Sequence, residues 1–543
     1  VPRSVLVLEW VATIFLGGGL RALVRYIREI RSSRASSAGR RTLIIGAGDQ
    51  ADRMLREISL AQRPKLQVVG LVSGHANGRG RSLRGVRVLG GLDDIVSIVS
   101  RHRIEFVIMA LDRPSGEVMQ RAVAACVDGK VEFKTLPSFN ELLDGFSRLD
   151  QLRAVHIEDL LGRAPVELDC ERVGASVRDK VVLITGGAGS IGSELARQVA
   201  RLRPARLLLL DQAESPLYFT VMELTEACPG LEIVPLICDI TDSRNVMRTM
   251  LQWSPHYVIH AAAYKHVPMM EDNAVEAIRN NVFGTMHVAT AAASCGAERF
   301  VLISTDKAVR PSSVMGATKR VAERLVMGLP NFQRSGVDFR AVRFGNVLGS
   351  AGSVVPVFNR QIAEGKPITV THPDVERYFM TIPEAAQLVL EAGVLDEASR
   401  RVTMLDMGEP VRILDLAERL IRLAGLQPHR DVPIRFIGLR PGEKLREELM
   451  SESEATVATA VDKIRVVERL ETDGKGISRL LGLMAHAVAV GDAEVALDLL
   501  CDLVPECVAP LSARRSAEHQ IVPAVDGVPR VGALLFPTEA QAV

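Results

Sequence analysis

Two stretches of the chain carry residue types and spacings that could do chemistry. The first is a glycine loop, Thr185-Gly186-Gly-Ala-Gly189-Ser190-Ile191-Gly192, set between an aliphatic run and a helical pattern. Gly186 permits a tight turn, Gly189 lets a pyrophosphate approach the backbone, and Gly192 allows a helix to pack closely. Asp211 ends the next strand-like run, 19 residues past Gly192, where a carboxylate binds an adenosine ribose. No Arg follows in Asp211-Gln-Ala-Glu-Ser to hold a 2′-phosphate, so NAD is favoured over NADP. Asp239, followed by Ile240, ends the third run and could reach the adenine amine. With both acids in register, a bound dinucleotide is expected against Gly186, Gly189, Ser190, Ile191, Gly192, Asp211, Asp239, Ile240 and Ala261.

The second stretch is Ser304-Thr305-Asp306-Lys307, at the end of the fifth run after the glycine loop. In open α/β sheets ligands sit beyond the carboxyl ends of strands, and a carboxylate beside an amine there suits acid–base work. The alternative for the same pair is a surface ion pair at a strand end. Met315-Gly-Ala-Thr-Lys319 follows on a probable helix, where positions four apart share a face. Lys265 and His266 fit either an active-site loop or a solvated one. An earlier loop, Gly46-Ala-Gly48-Asp-Gln-Ala51, also joins a strand to a helix. The segment where its ribose-binding acid should stand reads Val-Gly-Leu-Val72-Ser73-Gly74, which favours a Rossmann-like fold without a dinucleotide.

These residues need parallel strands to hold them. Strand-like runs at 68–72, 106–109 and 131–133 alternate with helical segments, and runs at 206–210, 232–237, 257–261, 300–304 and 339–344 repeat the pattern after the second loop. The fold class expected is α/β, with two Rossmann-like parallel-sheet units, the second carrying a smaller substrate-binding lobe, after an N-terminal apolar helix. The expected division is a membrane-proximal helix over 1–30, a Rossmann-like domain over 39–150, a connector over 151–178, a catalytic domain with its lobe over 179–458, and a helical then flexible tail over 459–543.

Composition narrows the class. The 543 residues are 47% hydrophobic and 24% charged, which argues against disorder as the main state. Lys plus Arg (66) balances Asp plus Glu (65), so a bulk polyanion binder is excluded, and no nucleic-acid motif is present. Seven Cys without paired C-x-x-C spacing argue against a zinc ribbon or a disulfide scaffold and fit a reducing compartment; the histidines show no metal spacing. The mean hydropathy of +0.16 with 4% aromatics reflects buried parallel strands and an apolar run over 5–20. Seven Arg against one Glu in 21–41 would place the remainder of the chain in the cytoplasm if that run meets a membrane.

At Met315 and Lys319 the chain resembles the extended short-chain dehydrogenase/reductase superfamily, with Met315 where that superfamily carries the Tyr of Tyr-x-x-x-Lys. Residues 260–285, 304–323, 343–358, 376–385, 405–410 and 438–449 are similar to the nucleotide-sugar 4,6-dehydratases of bacterial surface-polysaccharide synthesis. Within them the large membrane-anchored subgroup acting on UDP-N-acetylglucosamine also has Met at that position. The resemblance includes the first Rossmann-like unit and the connector over 159–163. That subgroup has four membrane helices ahead of these units, and this chain is expected to have at most one.

The resemblance implies oxidation of sugar carbon 4 by hydride transfer to NAD, loss of water across carbons 5 and 6, and return of the hydride to carbon 6. Asp306 would then be the acid, Lys307 the base, Thr305 a partner of the carbon-4 hydroxyl, and Lys319 the holder of the nicotinamide ribose. A free lysine titrates near ~10.4, so Lys307 would have to be partly neutralised by burial or by Lys319 and the nicotinamide. With Met315 unable to take the hydroxyl proton, Asp306 is the expected substitute. Asn346, Arg440 and Glu443 would hold the UDP part, with Asn281 near the active site; Lys265 and Asn281 are counted with the substrate-binding residues. The partners implied are a UDP-sugar, the inner membrane with the catalytic domain facing the cytoplasm, and a second copy of the chain. Rival readings are a 4-epimerase of the same superfamily, which needs the missing Tyr, and a non-catalytic NAD-binding scaffold.

Overall fold

The structure is a computed structural model that describes residues 39–60, 66–73, 80–111, 114–129, 131–136, 153–155, 169–451, 454–468 and 474–507, with Gly19 and Asp159 as isolated positions. The expected N-terminal helix and the tail beyond residue 510 lie outside the described residues. Among the described residues, no helix is long and apolar enough to cross a membrane. Two compact units emerge, one from residues up to 167 with 346–384 and 409–438, the other from 168–345, 385–408 and 439 onward.

The first unit is built on seven strands: β1 (Arg40–Ile45), β2 (Leu66–Val72), β3 (Ser82–Leu83), β4 (Val86–Gly90), β5 (Phe106–Met109), β6 (Glu132–Thr135) and β7 (Arg153–Ala154). Their order is β3-β4-β2-β1-β5-β6-β7, with β4, β2, β1, β5 and β6 parallel. Leu43, Ile44 and Ile45 are fully buried, as a strand covered on both faces requires. The helix Gly116–Asp128 begins at Ser115, whose hydroxyl accepts from the Val118 amide at 3.3 Å. Met119, Ala122 and Val123 of that helix share one core with Leu416, Leu420 and Ile421 of the helix Ile413–Leu423. The 346–384 and 409–438 segments of this unit thus share a core with the first sheet, and short ladders such as Glu376–Arg377 with Val411–Arg412 join them to each other.

The second unit holds β8 (Val181–Thr185), β9 (Arg206–Asp211), β10 (Ile233–Ile237), β11 (Tyr257–His260), β12 (Arg299–Ile303), β13 (Asp338–Arg343), β14 (Val402–Leu405), β15 (Thr456–Ala458) and β16 (Ile464–Val467). The order is β10-β9-β8-β11-β12-β13-β14-β16-β15, parallel through β14 and antiparallel at the last two. The strand order reverses between β8 and β11, the switch point where doubly wound sheets bind ligands. Both sheets are therefore Rossmann-like, and the expected strands fall within two residues of the observed ones. The helices Gly474–Val490 and Ala493–Leu503 bury Leu481, Met484, Leu497 and Leu500 in the same core as Val321 and Leu325 of the helix Val314–Gly328.

Candidate active site

The glycine turn after β8 is held too tightly for side chains. Gly186 has φ of +68°, and a Cβ there would lie 2.7 Å from the Ala262 amide nitrogen. A Cβ on Gly192 would lie 2.0 Å from the Gly186 carbonyl oxygen, so the helix Ser190–Arg201 packs directly on the turn. Gly189 donates its amide to that same oxygen at 3.0 Å and starts the helix without a side-chain cap. Ser190 and Ile191, half-buried, form the first turn of that helix, whose N-terminus faces the cleft as an anion site would. Asp211 receives the Ala188 amide at 3.0 Å and the Ala213 amide at 2.9 Å, which fixes its carboxylate beside the turn. Asp239 is exposed and accepts from the Thr241 amide at 2.8 Å, and Ile240 is buried next to it. Gly186, Gly189, Asp211, Asp239, Ile240 and Ala261 line one open cleft of about 540 Å³, with Tyr264 and Asn280 across it. This cradle fits a dinucleotide: a closely approached backbone, an uncapped helix N-terminus and an anchored carboxylate are all present.

Behind the cleft the polar groups satisfy one another. The Thr285 hydroxyl donates to the Asn281 carbonyl at 2.7 Å, so the His260 Nε2 donates to Thr285 at 2.9 Å and Nδ1 accepts from Thr185 at 2.7 Å. Burial holds His260 neutral, pushing it down to about 3. Asn281 sits in a π-helical turn, Arg279–Gly284, a device common at functional sites. Its Nδ2 donates to the Tyr264 carbonyl and the Thr318 hydroxyl, and its Oδ1 accepts from the Tyr264 and Asn280 nitrogens. All four hydrogen bonds that its carboxamide can make are used within the protein. Asn281, expected near the active site, clamps the backbone at Tyr264, and the neighbouring Lys265 is exposed.

The β12 end gathers the reactive groups. Thr305 caps a short turn, Asp306–Ala308; its hydroxyl donates to Asp306 Oδ1 at 2.9 Å and accepts from the Lys307 amide at 3.4 Å. Lys307 Nζ donates to the same Oδ1 at 3.0 Å. Asp306 is 1% exposed, and its Oδ2 has no hydrogen-bond partner among the described residues. A buried carboxylate oxygen without a protein partner is rare and marks a place for a proton or a ligand hydroxyl. The helix Val314–Gly328 seats on this turn because position 316 is glycine: a Cβ would lie 2.3 Å from the Lys307 carbonyl. That helix carries Met315, buried in the core, and Lys319, only 6% exposed. Burial lowers the Lys319 ammonium to about 8, against the opposing pull of Glu323. Lys319 has no hydrogen-bond or ion-pair partner among the described residues, as suits a group kept for a ligand.

Several residues of this neighbourhood were not picked out from the sequence. Glu447, 7% exposed, brings Oε1 to 3.5 Å from Lys307 Nζ. Glu271 accepts from the Val314 amide at 2.7 Å and pins the start of the Lys319 helix. Ser304 donates to Glu323 at 2.6 Å, and Glu323 takes a two-pronged bond from Arg343 at 2.7 Å on each side. Arg343 also binds Glu454, and Arg320 joins Glu323, Glu454 and Glu506. These arginines hold Glu323 down to about 2 despite its burial. Of the residues expected at the UDP part, Arg440 is exposed and its amide donates to Glu443 at 3.1 Å in a local turn. Asn346 belongs to the other unit, half-buried, its amide donating to the Tyr378 carbonyl at 3.1 Å.

Comparison with known proteins places this site in a family. Residues 182–469 match the family described as "Polysaccharide biosynthesis protein", and residues 1–137 match a "CoA-binding domain". The chain is 42% identical over 475 residues to "Probable polysaccharide biosynthesis protein EpsC" of Bacillus subtilis (strain 168), covering 87% of this chain and 78% of that one. It is 42% identical over 459 residues to "Capsular polysaccharide biosynthesis protein CapD" of Staphylococcus aureus, covering 84% and 76%. A "UDP-glucose 4-epimerase" of Rickettsia rickettsii is 32% identical over 307 residues, covering 55% of this chain and 85% of the epimerase. With a family match over more than half its length and relatives covered for over two thirds of theirs, the chain belongs to the polysaccharide biosynthesis protein family.

Proposed function

We propose that the chain is a nucleotide-sugar 4,6-dehydratase that removes water from a UDP-N-acetylhexosamine, with UDP-N-acetylglucosamine the first substrate to test. One observation carries this: Asp306, buried, keeps one oxygen unpartnered while the other binds Thr305 and Lys307. A nicotinamide dinucleotide, when bound, takes the hydride from carbon 4 and gives it back at carbon 6. Asp211 suits its adenosine ribose, the helix N-terminus after Gly189 its pyrophosphate, and Lys319 its nicotinamide ribose. NAD rather than NADP is the cofactor of this proposal, since no Arg follows Asp211.

Asp306 takes the carbon-4 hydroxyl proton, the task that Met315 cannot perform. The new ketone acidifies carbon 5. Lys307 removes that proton, the electron pair forms the double bond to carbon 6, and Asp306 gives its proton to the departing hydroxyl as water. Arg440 suits a phosphate of the UDP group. A 4-epimerase is the second reading, favoured by the Rickettsia relative. It has no use for a buried acid–base pair at carbons 5 and 6.

Incubation of the purified protein with UDP-N-acetylglucosamine in deuterated water is the test. A 4-keto-6-deoxy product with deuterium at carbon 5 is expected, and absence of water loss from any UDP-hexosamine overturns the proposal. We further propose tethering at the cytoplasmic face of the inner membrane through the apolar run and Arg cluster over 5–41. Flotation with anionic vesicles tests this, and a protein left in the unfloated fraction refutes it.

A further inference from the structure

Lys307 stands between two buried carboxylates, and the dehydratase chemistry assigns only one of them. Asp306 Oδ1 lies 3.0 Å from its Nζ and Glu447 Oε1 lies 3.5 Å away. The side chains of Asp306 and Glu447 are 0% and 3% exposed. Glu447 comes from a segment 140 residues further along that is docked at other points as well. Ser312 donates to the Gly442 carbonyl at 3.0 Å, Lys444 donates to the Val309 carbonyl at 3.0 Å, and Arg310 pairs with Glu448 at 3.6 Å. Glu447 is therefore placed against Lys307 by the docking of its whole segment. A carboxylate so far out of water is retained only with a nearby charge to answer it.

We infer that Glu447 is the positioning residue that controls the proton on Lys307 and holds it while Lys307 acts as base; this rests on the dehydratase proposal. The cycle starts with Asp306 and Glu447 as carboxylates and Lys307 as the ammonium between them, a form that cannot remove a proton from carbon 5. Transfer of the carbon-4 hydroxyl proton makes Asp306 neutral and withdraws one of those two charges. An N–H bond of Lys307 then breaks and an O–H bond forms on Glu447, leaving a neutral amine facing carbon 5. The separation is a few tenths of an ångström beyond a direct hydrogen bond, and such contacts tighten when substrate binds. Lys307 takes the carbon-5 proton, Asp306 gives its own to the leaving hydroxyl, and water departs. When the hydride reaches carbon 6, Lys307 returns a proton to carbon 5 and Glu447 returns its proton to Lys307. All three groups regain their starting charges.

The test is Glu447→Gln in the full chain, which keeps size and removes the proton acceptor. Single-turnover mixing with UDP-N-acetylglucosamine reports two steps: cofactor reduction, read by nicotinamide absorbance, and water loss with deuterium entry at carbon 5. Glu447→Gln should reduce the cofactor within a few-fold of wild type. It should lose water about 10²-fold more slowly, the usual range for a displaced proton transfer, so that reduced cofactor accumulates. Glu447→Asp should fall between the two, and carries the same test if the Gln variant does not fold. Water loss at the wild-type rate overturns the inference, and so does an equal loss of both steps without recovery in Glu447→Asp. If wild type itself reduces no cofactor and loses no water, the dehydratase proposal is what fails.

Discussion

The two glycine turns follow the first strand of sheets whose five central strands, β4-β2-β1-β5-β6 and β10-β9-β8-β11-β12, share one order, yet only one turn is furnished for a ligand. In both, the first glycine has positive φ and leaves no room for a side chain: a Cβ on Gly46 would meet the Ala110 carbonyl at 2.4 Å, much as Gly186 abuts Ala262. The third position differs, since Ala51 is accommodated and buried in the first turn while Gly192 lies against the Gly186 carbonyl in the second. The larger difference is at the end of the next strand. Asp211 ties its carboxylate to the amides of Ala188 and Ala213, whereas β2 ends at Val72 and Ser73, whose amide joins the Gly90 carbonyl. The backbone route thus makes a Rossmann-like turn, and a few side chains decide whether it can grip a dinucleotide.

The ion pairs divide the same way. Those described in the first sheet's unit, such as Arg84–Asp52, Arg40–Glu132 and Arg121–Asp93, stand in solvent. In the second unit charges are taken inside, at Asp306–Lys307–Glu447 and along Glu323–Arg343–Glu454–Arg320. If the buried groups carry the chemistry, changes there should be large and should separate binding from reaction. Asp306→Asn should give the largest effect. It keeps the shape and removes the acid, so water loss should fall by about 10³-fold or more while NAD, measured by release on denaturation, stays bound. Loss of bound NAD along with activity would move Asp306 from chemistry to structure.

Arg343→Met comes next. Arg343 is 1% exposed and bridges Glu323 to Glu454, so its removal strands two buried carboxylates on Arg320 and should cost about 3–5 kcal/mol in urea unfolding. Because Ser304 hangs from Glu323, turnover should slow too. A loss below about 1 kcal/mol would mean that water reaches the pair.

Much of this was legible in the sequence, for identifiable reasons. Strands covered on both faces are written as aliphatic runs such as Val181–Thr185 and Arg206–Asp211, and the glycines and Asp211 have spacings that come from the turn itself. Thr305, Asp306 and Lys307 are adjacent in the chain. What was not legible depends on docking at long range. Glu447 reaches Lys307 only because residues 439–449 fold back on the 308–313 loop. Order along the chain groups residues beyond 347 with the second unit, but Leu416 and Leu420 share a core with Met119 and Val123, a matter of which apolar stripes meet. Asn281 has the right type for a substrate contact, and only its four partners show that it is already occupied.

Lys319 sharpens the contrast through pH. Burial brings it from 10.5 to about 8, so between those values the unfolded chain holds a proton that the folded chain has released. Unfolding free energy from this group therefore rises with pH across that window, and below about 8 the buried charge is destabilising by about 3 kcal/mol. Lys319→Met should be more stable than wild type at pH 7 by about that amount, with the advantage shrinking as the pH approaches 10.5 in paired urea titrations, while NAD binding weakens. An advantage independent of pH would show that packing and not charge accounts for it.

The smallest effect should come from the first turn's own ion pair. Arg84 reaches both Asp52 oxygens, at 2.7 and 2.8 Å, in good two-pronged geometry. Yet the arginine side chain is 46% exposed, and water screens what geometry favours. The Arg84 contact also lowers the Asp52 carboxyl below its ordinary value, so any stabilisation is present at neutral pH and fades in acid as that group protonates. Asp52→Asn should leave the thermal midpoint at pH 7 indistinguishable from wild type, with NAD content and turnover unchanged. A clear fall in either function would break the comparison, because it would mean that the first turn, despite lacking a ribose acid, serves the chemistry of the second.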